Sequence, residues 1–84
     1  MQYKVILPKR AQKDLERIDS RFLNRIKAVL VALAENPFMG KQLEGKRKGQ
    51  WSYQVWPYRI IYEIHKDRLM VLVIRIGHRQ GVYK

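Results

Sequence analysis

Hydrophobic positions along this chain change their spacing from one segment to the next, and each change predicts an element boundary. Gln2-Tyr3-Lys4-Val5-Ile6-Leu7 alternates weakly and carries β-branched residues, which predicts a first strand. Pro8 stands where that strand ends and a helix can begin. From Lys9 to Ile18 the apolar residues Ala11, Leu15 and Ile18 return after four and then three positions, marking one helix face. Asp19-Ser20 interrupts this helix, and Ser20 is suited to cap the next one. In the second helix Phe22, Ile26, Val29, Leu30 and Leu33 form a stripe that must pack on something, with Arg21, Asn24 and Arg25 turned elsewhere. Asn36-Pro37 stops it. Residues 9–35 therefore read as a helical hairpin covering one side of a sheet.

Periodicity lapses from Phe38 to Gln50, a loop rich in Gly and Lys in which Gly45 and Gly49 bracket a mobile basic tip, Lys46-Arg47-Lys48. Trp51 to Val55 reads as a strand, Trp56-Pro57 as a tight connection and Tyr58 to Ile64 as the next strand. His65-Lys66-Asp67 is the following turn and Arg68 to Ile76 the last strand. Their β-branched and aromatic density predicts an antiparallel meander. Gly77 ends the sheet, and His78 to Lys84 forms a polar tail. The expected fold is α+β over residues 1–84 as one domain. An N-terminal strand and a two-helix hairpin pack on a mainly antiparallel four-stranded sheet, in the order β-α-α-β-β-β.

Strand parity sorts the sheet into two faces. Trp51, Tyr53 and Val55 fit the helix side, as do Tyr58, Ile60, Tyr62 and Ile64, and in the last strand Leu72, Ile74 and Ile76. The open face then carries Ser52, Gln54, Trp56, Arg59, Ile61, Glu63, Val71, Val73 and Arg75. Trp56 either fills a corner of the core or offers a ring for stacking. Arg75 is expected to pair with Glu63 across the sheet. An Arg at position 59, amid core formers, is awkward without a partner.

Composition narrows the partners. The chain has 84 residues, with eighteen Lys and Arg against seven Asp and Glu, a net charge of +11. Such an excess attracts polyanions, nucleic acid above all, and exceeds what solubility needs. There is no cysteine, which excludes disulfides and thiol catalysis. Two His and scattered carboxylates offer no metal-ligand cluster, so no metal or cofactor is expected. The opening residues read as a strand rather than a secretory signal, and no apolar run approaches the length of a membrane span. Lys46, Arg47 and Lys48, with Gln54 and Trp56, form the candidate RNA-binding set: cations for phosphate and a flat ring for a base.

The run Gln54-Val-Trp-Pro-Tyr58-Arg59-Ile-Ile-Tyr62-Glu63-Ile64, followed by Val73-Ile-Arg-Ile-Gly77-His78-Arg79-Gln-Gly-Val82-Tyr83, resembles the RelE/ParE superfamily of bacterial and archaeal toxins. Ala11-x-x-Asp14-Leu15, Asn36-Pro37 and Leu43-Glu44-Gly45 agree with it, so the likeness spans nearly the whole chain. The tail, Gly77-His78-Arg79 with Val82-Tyr83, is closer to the RelE branch. That resemblance implies a toxin of a type II toxin–antitoxin system acting in the cytoplasm. It would be a metal-independent endoribonuclease that cuts ribosome-bound mRNA by 2′-OH attack, with no membrane contact. Its implied partners are mRNA, the ribosome and a RelB-like antitoxin, in a toxin–antitoxin hetero-oligomer. Position by position, Arg59 resembles the arginine that stabilises the transition state, and Arg79 the one near the leaving group. Tyr83 resembles the tyrosine that packs on a base and assists deprotonation, and His78 stands where relatives carry His or Lys. An imidazole there suits general acid–base work, or else positioning or a phosphate contact. Ser52 and Gln54 stand where well-known RelE toxins have two lysines, for which Lys46 or Lys48 are candidate replacements. A ParE-like gyrase poison and a non-catalytic nucleic-acid-binding module are the alternatives.

Overall fold

The computed structural model describes residues 2–78. Strand β1 spans Lys4–Ile6, helix α1 Lys9–Glu16 and helix α2 Ser20–Glu35. Strand β2 is Lys41–Gln42, β3 Trp51–Val55, β4 Tyr58–His65 and β5 Met70–His78. Single 3-10 turns at Pro37–Met39, Gly45–Arg47 and Lys66–Arg68 connect them. The sheet has five strands in the order β1-β5-β4-β3-β2, antiparallel throughout except for β1, which lies parallel to β5. The expected α+β layering holds, with one strand more than expected. Lys41–Gln42, read from sequence as loop, pairs with β3 through Lys41–Ser52 and Gln42–Trp51.

Local chemistry explains the helix limits. Asp19, not Ser20, caps α2: its carboxylate accepts from Arg21 N–H, and Ser20 becomes the first helical residue. A carboxylate also suits the positive end of a helix dipole better than a hydroxyl does. The Arg21 side chain pairs with the same group at 3.0 Å, and its hydrogen bonds hold the Asp19 carboxyl below its ordinary range. At the other end the Asn36 side chain accepts from Phe38 N–H, turning the chain into the Pro37–Met39 turn.

The core lies between the helices and one sheet face. Ala11, Ile18, Ile26, Leu30 and Leu33 meet Val55, Ile60, Tyr62, Val71, Val73 and Ile76 there. Parity holds for β3 and β4 but fails in β5, where Val71 and Val73 rather than Leu72 and Ile74 are fully buried. A β-bulge is the reason. Ile61 is opposite Arg75 while Tyr62 is opposite Val73, so Ile74 is an extra residue. One extra residue reverses which positions face the core on either side of it. Val71 and Val73 fit the pattern before the bulge, and Ile76 the pattern after it.

The bulge is also where α1 is anchored. The buried Asp14 carboxylate accepts from Arg75 Nε at 2.8 Å and from the Ile76 backbone N–H at 3.0 Å. Arg75 therefore pairs with Asp14 across the core edge and not with Glu63, which instead holds His65 Nε2 at 3.0 Å. A buried carboxylate with two donors is satisfied. Removing it would take the acceptor from the buried Ile76 N–H and one partner from Arg75.

Candidate nucleic-acid interface

Arg59 sits on β4, facing away from the helices, because its strand neighbours Tyr58 and Ile60 pack into the core. Across β3 its register partner is Gln54, and Arg59 Nη2 lies 3.4 Å from Gln54 Oε1. Across β5 the partner is Gly77, which brings no side chain to crowd the guanidinium. The Gln54 amide fixes the direction of the half-buried guanidinium from one side, and a directed guanidinium is what recognition of a phosphate requires.

This face is not bare throughout. Ser52 and Ile61, also expected on it, are register partners of each other and buried, 7% and 0% exposed. The accessible part is thus the end around Gln54 and Arg59 rather than the whole face. Trp56 follows directly in the two-residue connection between β3 and β4, whose Trp56-Pro57 peptide is cis. Trp56 is 55% exposed, which removes the reading that it fills a corner of the core.

The basic segment forms a defined turn. Gly45 and Gly49 take positive φ of 66° and 95°, the left-handed region that glycine enters without steric cost. Between them Lys46 and Lys48 are exposed, whereas Arg47 folds back to place Nη1 3.1 Å from Gln50 Oε1. Of the three cations, then, two project outward. A groove of about 780 Å³ runs between this turn and β2, lined by Lys41, Glu44, Lys48, Gln50 and Trp51 among others.

His78 ends β5 directly opposite Tyr58, and the two rings meet edge-on with centroids 6.1 Å apart. Opposed residues share a face. Tyr58 packs against the core and Phe22, so His78 lies on the helix side of the sheet and Arg59 on the other. The described residues do not bring His78 and Arg59 together. Arg79 and Tyr83 lie outside the described residues.

Lys41 is the cation that sequence reasoning missed. It is exposed and shares the face of Ser52, its register partner. The segment that carries it is fixed by Tyr62. That hydroxyl donates to the Pro37 carbonyl at 2.7 Å, and a side chain at Gly40 would collide with the same hydroxyl. Burial pushes the Tyr62 phenol up to about 12, although the Gly40 backbone draws it partly back. Among the described residues no cluster of three His, Cys, Asp or Glu could hold a metal ion, and no helix is long and apolar enough to cross a membrane.

The fold has counterparts among known proteins. The toxin RelG of Mycobacterium tuberculosis is 28% identical over 86 residues, covering 100% of this chain and 99% of RelG. The toxin–antitoxin complex RelBE2 of the same organism contains a chain that superposes with a TM-score of 0.87 at 27% identity, covering 94% of this chain and 100% of that one. The isolated Escherichia coli toxin RelE shares the fold, with a TM-score of 0.79 at 24% identity over 90% of this chain and 83% of RelE. The sequence profile described as the ParE toxin of the type II toxin–antitoxin system, parDE, matches residues 5–83. With nearly its whole length so matched, the chain belongs to the ParE toxin family, within the RelE/ParE superfamily of type II toxin–antitoxin toxins.

Proposed function

We propose that this toxin is a metal-independent endoribonuclease that cuts mRNA, on the ribosome and in the cytoplasm, and is restrained by a RelB-like antitoxin. One observation carries the reading: Arg59 stands at the accessible end of the helix-free face, aimed by Gln54, with an exposed Trp56 in the connection that leads into its strand. A guanidinium for the phosphate and an exposed ring at the same end of the sheet together suit one phosphodiester of a single strand, the ring stacking on a base.

In the reaction the ribose 2′-oxygen attacks phosphorus and the bond from phosphorus to the 5′-oxygen breaks. The 2′-OH proton passes to a base and the 5′-oxygen receives one from an acid, leaving a 2′,3′-cyclic phosphate and a 5′-OH. Arg59 stabilises the charge that builds on the nonbridging oxygens, where a preorganised donor is worth most. Lys46 and Lys48 hold flanking phosphates. Arg79 and Tyr83, by the resemblance, serve the leaving group and the attacking hydroxyl. His78, its ring against Tyr58, fits the orientation of that carboxyl-terminal end better than direct proton transfer. Complexes of this superfamily such as RelBE2 support a RelB-like antitoxin as the partner.

A second reading, inhibition of DNA gyrase, is favoured by the ParE family match and by the neutral Ser52 and Gln54. Purified protein added to ribosomes translating a defined mRNA separates the two. Codon-phased cuts ending in cyclic phosphate are expected. Intact mRNA together with gyrase-dependent DNA breaks would replace the nuclease reading with the second.

A further inference from the structure

Strand β2 delivers a cation from a direction that no other described element supplies. Lys41 is opposite Ser52 on the outermost strand, and Ser52, Gln54 and Arg59 share a face. With strands about 4.8 Å apart and about 3.4 Å of rise per residue, the Lys41 and Arg59 Cα atoms are separated by roughly 12 Å along the diagonal. Two long side chains leaning inward close that gap above Gln54. Lys41 is exposed, and among the described residues no carboxylate pairs with it. Its backbone is held as well: Tyr62 fixes Pro37, Gly40 passes tightly over the Tyr62 hydroxyl, and Leu43 N–H donates to the Gln50 carbonyl at 2.9 Å.

We propose that Lys41 is the second phosphate-contacting cation of this face, its ammonium taking one nonbridging oxygen of an RNA phosphodiester while Arg59 takes the other. This deepens the nuclease reading and rests on it. Gln54 then acts as a short, neutral floor between two charges that arrive from strands on either side. A lysine at position 52 would contend with Lys41 for the same space. Lys41 also lines the groove beside Lys48, where two lysines face one carboxylate, Glu44.

Binding of an uncleavable single-stranded RNA, 2′-deoxy at the scissile position, tests the contact apart from catalysis. Lys41→Gln should weaken binding about fivefold and lower the slope of log affinity against log salt by about 0.7, the signature of one lost phosphate contact. Lys13→Gln, on the exposed side of α1, should change neither. Lys41→Arg should keep the slope, and the exchange of Lys41→Ser with Ser52→Lys should restore it, since the ammonium returns to the same face one strand away. If Lys41→Gln flattens the slope but the parent protein cuts no RNA, the contact stands and the nuclease reading falls. If the parent cuts RNA and Lys41→Gln matches it in affinity, slope and rate, the nuclease stands and Lys41 has no part in it. A parent that binds no RNA at all removes both.

Discussion

The two faces of the sheet divide the work of the molecule. On the helix side Tyr62, Val71, Val73 and Ile76 are at most 2% exposed, and the polar groups at its border are satisfied, Asp14 by two donors and Tyr62 by Pro37. On the other side the accessible end carries Arg59, Gln54 and Trp56, with Lys41 and the Lys46–Lys48 turn beyond β3. Charge there is directed by neighbouring side chains. A side chain on the first face should act through folding, and one on the second through the ligand.

The sharpest break in that contrast comes from Arg59. Arg59→Ala should lower the rate of RNA cleavage about 10²- to 10³-fold, the cost of losing one preorganised charge-stabilising donor, while the melting temperature stays close to the parent's. A large drop in melting temperature would return Arg59 to the structural side. Asp14→Ala should do the reverse. It leaves the Arg75 guanidinium and the Ile76 N–H without their acceptor, at a cost of about 3 kcal/mol in denaturant unfolding, with cleavage per folded molecule retained.

Tyr62→Phe should cost about 1–2 kcal/mol, because the Pro37 carbonyl loses its donor. It should also change the alkaline limb of stability. The folded phenol titrates near 12, above its ordinary 10, so the unfolded chain gives up its proton first and the parent loses stability as pH rises from about 10 to about 12. The Phe variant should lack that component in unfolding measured across this range. Replacing Lys46 and Lys48 together by Gln should weaken RNA binding by about tenfold and reduce its salt slope, since both project from the turn. Smallest of all, His78→Gln should change cleavage less than about threefold if the ring only supports Tyr58, and should leave the pH profile of the rate unmoved. Loss of a titration near neutrality would give His78 the proton-transfer role after all.

Much of this contrast was legible in the sequence. The stripes of α1 and α2 and the parity of β3 and β4 placed the core, and with it Arg59 and Gln54 on the far side, because a period of two or 3.6 leaves a strong imprint over five or more residues. What escaped notice was set by pairing rather than by pattern. Two polar residues, Lys41 and Gln42, show no period at all, so β2 and its lysine read as loop. The bulge at Ile74 depends on how β5 registers against β4, and its effect was to exchange Leu72 for Val71 and Val73 in the core. Asp14 and Arg75 are 61 residues apart, and nothing local announces their pair. The same holds for His78, whose side of the sheet follows from its station opposite Tyr58.

The parallel seat of β1 beside β5 has a bearing on how the chain is made. Among the described residues the first strand has no strand neighbour other than β5, and α1 is fastened to that strand by Asp14. During synthesis the amino-terminal residues must therefore wait, without a sheet to lie on, until the last described strand has left the ribosome. Arg59 emerges before β5 does, so its strand has a partner on one edge only until β5 has followed it.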